Sequence, residues 1–465
     1  FDTERMSQLR GGVGLFQTLA PTVWIFNPYQ NNGVTGKVST NSTGGESFAD
    51  LITDVENKST SASLSGRPQV DAIAPGTKLP SAWKWSLGYD AELPWYGIVA
   101  SVDALDIKNK DAMIYSEPNT GIASIAGATP TVLPDGRIGY WTNGLPSSSA
   151  YKNSAGATTC YVSQTCNGTY VANSSAFAYN STVLGNTDKG YSKSLTFGLS
   201  RPLTGSWGWN ASVTFAKAEE VNPGNSSQAT SNYQTAMVNP NPTSAAISDR
   251  SIQQTLKASL TWDHAFFGDY HTTVTAYYTG HDGQPYSWVF GTGSGIVGDV
   301  NGDNQAGYDL AYIPLVNDPK VTYKGTAAQI QSFQDFINSD SYLAALRGQI
   351  AERNGARSPW VNQLDIGIQQ EIPGFFKEHK AIVRLDISDF LNLLNKDWGL
   401  QKTVNTFNPR RNLAYVSGFT KDGQYIYDVS KAPDSLQTWY TSGGSPAPSR
   451  VSSTWSALLT LRYQF

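Results

Sequence analysis

The sequence predicts an all-β protein: a transmembrane, antiparallel, up-and-down β-barrel with long extracellular loops. Three observations predict it. First, the stretch Trp455–Phe465 alternates, with Trp455, Ala457, Leu459, Leu461, Tyr463 and Phe465 on one face and Ser456, Leu458, Thr460, Arg462 and Gln464 on the other. That period of two is a strand's, and a last amphipathic strand closing on an aromatic residue suits a bacterial outer-membrane barrel. Second, about ten such stretches recur along the chain. Third, the connections between them alternate between short turns and long polar loops. A soluble β-protein would also give alternating strands, but its loop lengths would be mixed.

Composition agrees. Of 465 residues, 39% are hydrophobic and only 15% charged, and the net charge of -4 leaves no basic footprint for nucleic acid. Mean hydropathy is -0.33, and no apolar run reaches the ~18 residues of a transmembrane helix. A barrel needs none, because only alternate residues meet lipid. The 13 Trp, 24 Tyr and 18 Phe suit strands girdled at both membrane surfaces, although a secreted β-rich adhesin or glycan binder would share them. No signal peptide opens the chain, and Phe1-Asp2-Thr3-Glu4-Arg5 reads neither as a start nor as a mature terminus, so a processed or partial piece is expected.

In order, the first strand is Gln8–Phe16, extended by Thr22–Phe26, and a polar stretch runs from Asn27 to Pro80. Ser81–Glu92 sets Trp83, Trp85, Leu87 and Tyr89 against Lys84, Ser86, Gly88 and Asp90. A tight turn at Leu93–Gly97 leads to Ile98–Lys108, and a long segment follows to Gly190. Tyr191–Arg201 and Trp207–Lys217 form a hairpin around Pro202–Gly205, and Ala218–Arg250 is the next loop. Ile252–Asp263 and Tyr270–Gly280 pair around His264–Asp269. The loop His281–Pro359 carries Ile330, Phe333, Phe336, Ile337, Leu343, Leu346 and Ile350 at helical spacing, so one or two short helices are expected there. Trp360–Glu371 and Lys380–Phe390 form the last hairpin around Ile372–His379, and Leu391–Ser453 leads to the closing strand.

With Phe465 on the periplasmic side, every short turn falls on that side and every long loop outside. Trp95, Tyr96, Trp207, Phe266, Phe267, Phe375 and Phe376 then make an inner aromatic girdle. The inward residues include Lys84, Asp90, Asp103, Lys257, Asp263, Asp365, Arg384, Asp386 and Arg462, so the lumen is wet or packed against a polar body. Ten strands alone would enclose little space.

Here the residues reach a resemblance. LRGGVGLF, PTVWIFNPYQNNG, GYSKSLTFGLSRPL, WGWNASVTFAKAEEVNPGNSSQATSNYQ, GQPYSWVFG, GDVNGDNQAGYDLAYIP, RNGARSPWVNQLDIGIQQEIPG and DFLNLLNKDWG resemble TonB-dependent receptors of the Oar-like group. The resemblance runs along the whole of residues 1–465 and implies the C-terminal part of a barrel of about 22 strands filled by a plug. The plug, the TonB box and the family's N-terminal domain have no counterpart in this chain. Outer-membrane localisation, outer-membrane lipid, a TonB complex acting through a plug carried elsewhere, and an unidentified small solute, oligosaccharide or peptide are the partners implied.

Two side-chain groups stand out. Asp299, Asn301, Asp303 and Asp309 in GDVNGDNQAGYDL place oxygens at alternate positions, as calcium requires. The spacing resembles an EF-hand loop with Asn304 in place of the usual Gly and the closing acid one place early; the competing reading is a turn capped by its own side chains. Cys160 and Cys166, close together in a polar segment, read as a local disulfide in an oxidising compartment, with two free thiols as the alternative. His281-Asp282 at the outer rim is the sole hint of hydrolytic chemistry; no nucleophile elbow, zinc motif or phosphate loop accompanies it. No catalytic residue and no certain cofactor are assigned. Tyr29, Tyr233, Tyr286 and Trp288 could stack on a ligand or simply pack the loops. The expectation is a non-enzymatic receptor and transporter barrel binding a solute with its loops and lumen. A surface adhesin or structural protein anchored by the barrel, and a ten-stranded hydrolase, are the alternatives.

Overall fold

The computed structural model describes residues 5–32, 69–120, 131–140, 158–159, 165–166, 181–292, 298–376, 378–404, 408–420, 422–438 and 453–465. Ten long strands form its frame: β1 (Ser7–Gln17), β2 (Ser81–Glu92), β3 (Val99–Ser116), β4 (Tyr191–Thr204), β5 (Trp207–Glu220), β6 (Gln254–Phe267), β7 (Tyr270–His281), β8 (Val361–Pro373), β9 (Lys380–Ser388) and β10 (Ser456–Gln464). Their order in the sheet is their order in the chain, and every neighbouring pair is antiparallel.

The register carries one rule across all ten strands. Leu9, Tyr89, Val102, Phe197, Val213 and Leu256 lie opposite one another in turn, as do Trp262, Val274, Ile368, Leu385 and Leu459. The other face carries Arg10, Gly88, Asp103, Thr196, Thr214 and Thr255 in one such row. The apolar face is open to the surroundings: Leu87, Leu459 and Leu461 are all exposed. The polar face bonds to itself. Arg10 pairs with Asp90 and with Asp103, the latter at 2.6 Å, across Gly88. A Cβ at Gly88 would lie 2.5 Å from the Asp103 carboxylate, so only glycine lets the pair cross that strand. Thr196 and Thr214 share a hydrogen bond of 2.9 Å, and Asn210 donates to Ser259 at 2.5 Å. Apolar outside and polar inside is the inverse of a soluble sheet and the pattern of a strand wall standing in lipid.

The core lies elsewhere, among the long connections. Trp288, Phe290, Ile313, Ile337, Val416, Phe419, Tyr425 and Tyr427 are fully buried and belong to one cluster. A second sheet organises it, in the order 321–324, 425–428, 410–419, 285–290, 356–357. It interleaves the loop between β7 and β8 with the loop between β9 and β10. The two short helices form where their spacing predicts, at Ala327–Ser339 and Ser341–Ala345. Thr326 opens the first with a capping box, and Phe333 and Ile337 are its buried face.

Two departures from the sequence reading have physical causes. Thr22–Gln30 is a helix and not an extension of β1. It is fixed by distant partners: Trp24 Nε1 donates to the Ser226 carbonyl at 2.7 Å, Asn27 donates to the Ser227 carbonyl at 3.0 Å, and the Trp24 ring meets Tyr115 edge-on at 6.0 Å. Strand β3 continues past Lys108 to Ser116 because its far end pairs with Thr182–Thr187, a loop strand that the alternation of β3 itself does not announce.

Candidate functional site

The described parts of the long connections lie at one end of the ten-stranded wall and fold into a cap. Arg353 is the clasp. Its guanidinium donates to the carbonyls of Glu220 and Val221 at the end of β5, and to the Ala246 carbonyl at 3.2 Å. Asn354 beside it donates to the Ile247 carbonyl and to Asp249, both at 2.7 Å. Asn408 donates to the Gln234 carbonyl at 2.8 Å. These bonds tie the loops after β5, β7 and β9 to one another. Buried side-chain donors on loop carbonyls do here what a ladder does in a sheet: they satisfy backbone groups withdrawn from water. A groove of about 410 Å³ opens on the cap between the helix Ala327–Ser339 and residues 429–433, lined by Phe333, Phe336, Gln329, Ser332 and Lys431.

The acidic loop lies inside the cap. Asp299, Asn301, Asp303 and Asp309 are all buried. Asp299 accepts from the backbone N–H groups of Gly302 at 2.7 Å, Asp303 at 3.1 Å and Asn304 at 3.0 Å. Asn304 adopts a positive φ of 69°, the conformation that the sixth residue of an EF-hand loop needs and Gly usually supplies. Asp303 accepts from the Gln305 N–H at 2.9 Å and from the Asn301 amide at 3.1 Å. Asp309 is held between the loop and Arg137: it accepts from the Val300 N–H at 2.7 Å and faces Arg137 at 3.5 Å. Arg137, itself buried, also pairs with Asp135 at 2.8 Å and donates to the Leu310 carbonyl at 2.6 Å.

Sequence reading missed the fourth carboxylate. Glu117 is fully buried, accepts from Gln305 Nε2 at 2.9 Å, and has its backbone held on both sides by Asn241. It lies in a polar run far from the loop in sequence, with no spacing to link the two. Burial, reinforced by the charge on Asp303, pushes its carboxyl up to about 9. Burial likewise pushes Asp303 up to about 6, and burial with the Asp303 charge raises Asp299 and Asp309. Among the described residues, no three acidic, His or Cys side chains converge on one point as the ligands of a metal ion do.

The remaining candidates have definite places. Cys160 lies outside the described residues; Cys166 ends a two-residue strand, Thr165–Cys166, that pairs with Thr158–Thr159. His281 and Asp282 do not face one another: the His281 ring meets the Asp282 carbonyl at 2.6 Å, while the Asp282 carboxylate accepts from the Gln254 N–H at 3.0 Å. Tyr233, Tyr286 and Trp288 are buried and pack the cap, while Tyr29 is exposed. Trp95, Tyr96, Trp207, Phe266, Phe267, Phe375 and Phe376 are all exposed around the short turns, as an interfacial girdle requires.

Comparison with known proteins agrees with this architecture. The family described as "Outer membrane beta barrel domain" matches residues 3–409. No curated protein sequence matches the chain. Among solved structures, the chain is similar to the outer membrane transporter YddB from Escherichia coli, at 11% identity and a TM-score of 0.36, over 90% of this chain. It spans 37% of the length of that transporter. The matched family covers most of the sequence and is one of membrane barrels, not of enzymes: the chain belongs to the outer membrane β-barrel domain family, and its strands cross the outer membrane.

Proposed function

We propose that the chain is the C-terminal part of a TonB-dependent receptor barrel of the Oar-like kind, which captures a solute with its extracellular cap and lumen for energised translocation. The observation that carries this reading is the cap. Loops that merely joined strands would not need a shared core of fully buried aromatic residues, each contributing roughly 1.5–3 kcal/mol, nor a second sheet threading two loops together. A preorganised cap over a polar-walled barrel suits selective capture. Ligand choice resides in the irregular loops of the cap.

The sheet edges support the rest of the proposal. Among the described residues, β1 and β10 each pair on one side only. An open edge in hydrocarbon leaves backbone groups unpaired at a cost of several kcal/mol each. In this reading further strands complete the wall, and a barrel of about 22 strands with a plug would supply them. The ion pairs on the inner wall suit a polar plug packed against it.

The test is the intact mass of the protein extracted from native outer membranes. A mass near twice this chain's 50.3 kDa, or 50.3 kDa together with a co-purifying chain that supplies strands, supports the receptor. A mass of 50.3 kDa with no partner sinks it.

A further inference from the structure

We propose that the 299–305 turn and Glu117 together hold one calcium ion, with the carboxylates of Glu117 and Asp303 and the side-chain oxygen of Gln305 as its ligands. The site lies inside the cap and goes beyond the transport reading. The sequence motif names an EF-hand-like loop whose closing carboxylate is displaced by one position. In the structure that residue, Asp309, is committed to Arg137 and to the Val300 N–H. The bidentate carboxylate that normally completes such a loop has to come from elsewhere.

Glu117 supplies it. It is fully buried, and its Oε1 has no hydrogen-bond partner. Gln305, 2% exposed and bonded to Glu117 through its Nε2, also leaves its Oε1 without a partner. Two adjacent buried side chains thus each present an oxygen that nothing donates to, and the Asp303 carboxylate is tied to the same pair, accepting from the Gln305 N–H and acting by its charge on Glu117. A buried oxygen without a donor is costly, and more so when charged. A hard cation satisfies such oxygens together. The ion pairs point the same way: of the buried carboxyl groups Glu117, Asp299, Asp303 and Asp309, only Asp309 has an ion-pair partner among the described residues, and it shares that partner, Arg137, with Asp135. Calcium completes its shell with amide oxygens, backbone carbonyls and water, so the site needs only two convergent carboxylates. Asp299 keeps its place as the acceptor that shapes the turn.

The protein, purified in detergent and stripped with chelator, is titrated with terbium, whose luminescence Tyr140 and Tyr233 can sensitise; the charge of Asp303 acts on both rings. One terbium should bind per chain, displaced by calcium and not by equimolar magnesium. Glu117→Gln and Gln305→Ala should each weaken calcium by about tenfold or more, while Glu371→Gln on the inner wall leaves it unchanged. Absence of terbium binding by the native protein, or native calcium affinity in both cap variants, overturns the proposal. If Glu117→Gln fails to fold, shown by loss of the heat-modifiable band, Gln305→Ala alone decides.

Discussion

Arg353 shows how much of the cap rests on single side chains. Its guanidinium donates to carbonyls from two separate segments, bracing the point where Glu220 and Ala246 pair. Arg353→Ala should destabilise the cap by about 3 kcal/mol, because it removes three bonds from a buried charged group at once. Limited proteolysis of intact cells expressing the variant should cut the loops faster, while the barrel stays heat-modifiable on gels. Cys160 and Cys166 allow a second test at this scale. A disulfide between them, expected of a protein facing the oxidising side, should leave both thiols unreactive to alkylation until a reductant is added. Labelling without reductant would overturn it. At Asp299 the competing reading of the motif is visible directly, since its carboxylate caps the backbone of its own turn.

At the scale of the element, the strand wall is governed by parity. Phe197 points outward in the row shared by Val102 and Val213, and Thr196, its neighbour, points inward to Thr214. Between Lys193 and Arg201 the outward positions of β4 are all apolar. That span is roughly 27 Å along the strand and about 20 Å upright after the usual tilt, close to the thickness of the lipid-facing band. Phe197→Arg should cost about 2–4 kcal/mol of barrel stability, by denaturant titration in lipid vesicles. Thr196→Lys, one residue away, should cost well under half of that, since it adds charge to a wall that already carries it. Equal effects would mean that the face assignment is wrong. The helix Thr22–Gln30 marks where parity stops serving as a guide: its residues could alternate, but Trp24 and Asn27 reach partners some two hundred residues away.

For the whole molecule, the cap and the wall are two bodies with opposite solvents. The wall exposes its apolar side to lipid and spends its polar groups on the lumen; the cap buries its apolar side chains as a soluble domain does. They should therefore come apart experimentally. Replacing residues 391–453, which include the strands 410–419 and 425–428 of the cap sheet, with a short Gly/Ser linker should abolish ligand capture and protease resistance of the remaining loops. The barrel should still migrate as a heat-modifiable band in the outer membrane. Loss of that band would show that the cap is needed to build the wall.

The sequence by itself determined the wall. Ten alternating stretches, short turns regularly interleaved with long loops, and aromatic residues at the turns are local patterns, because lipid on one side and water on the other impose a period of two on every strand. The two short helices were legible for the same reason: Phe333, Ile337 and Leu343 repeat at helical spacing. Only the tertiary structure decided the cap. Its sheet joins 285–290 to 410–419 in parallel and 321–324 to 425–428 in parallel, pairings between loops that no local period encodes. It likewise decided the acidic site, bringing Glu117 to Gln305 across 188 positions and turning Asp309 toward Arg137. Contacts of that kind depend on which buried oxygen finds which donor, and that is settled by packing in three dimensions rather than by spacing along the chain.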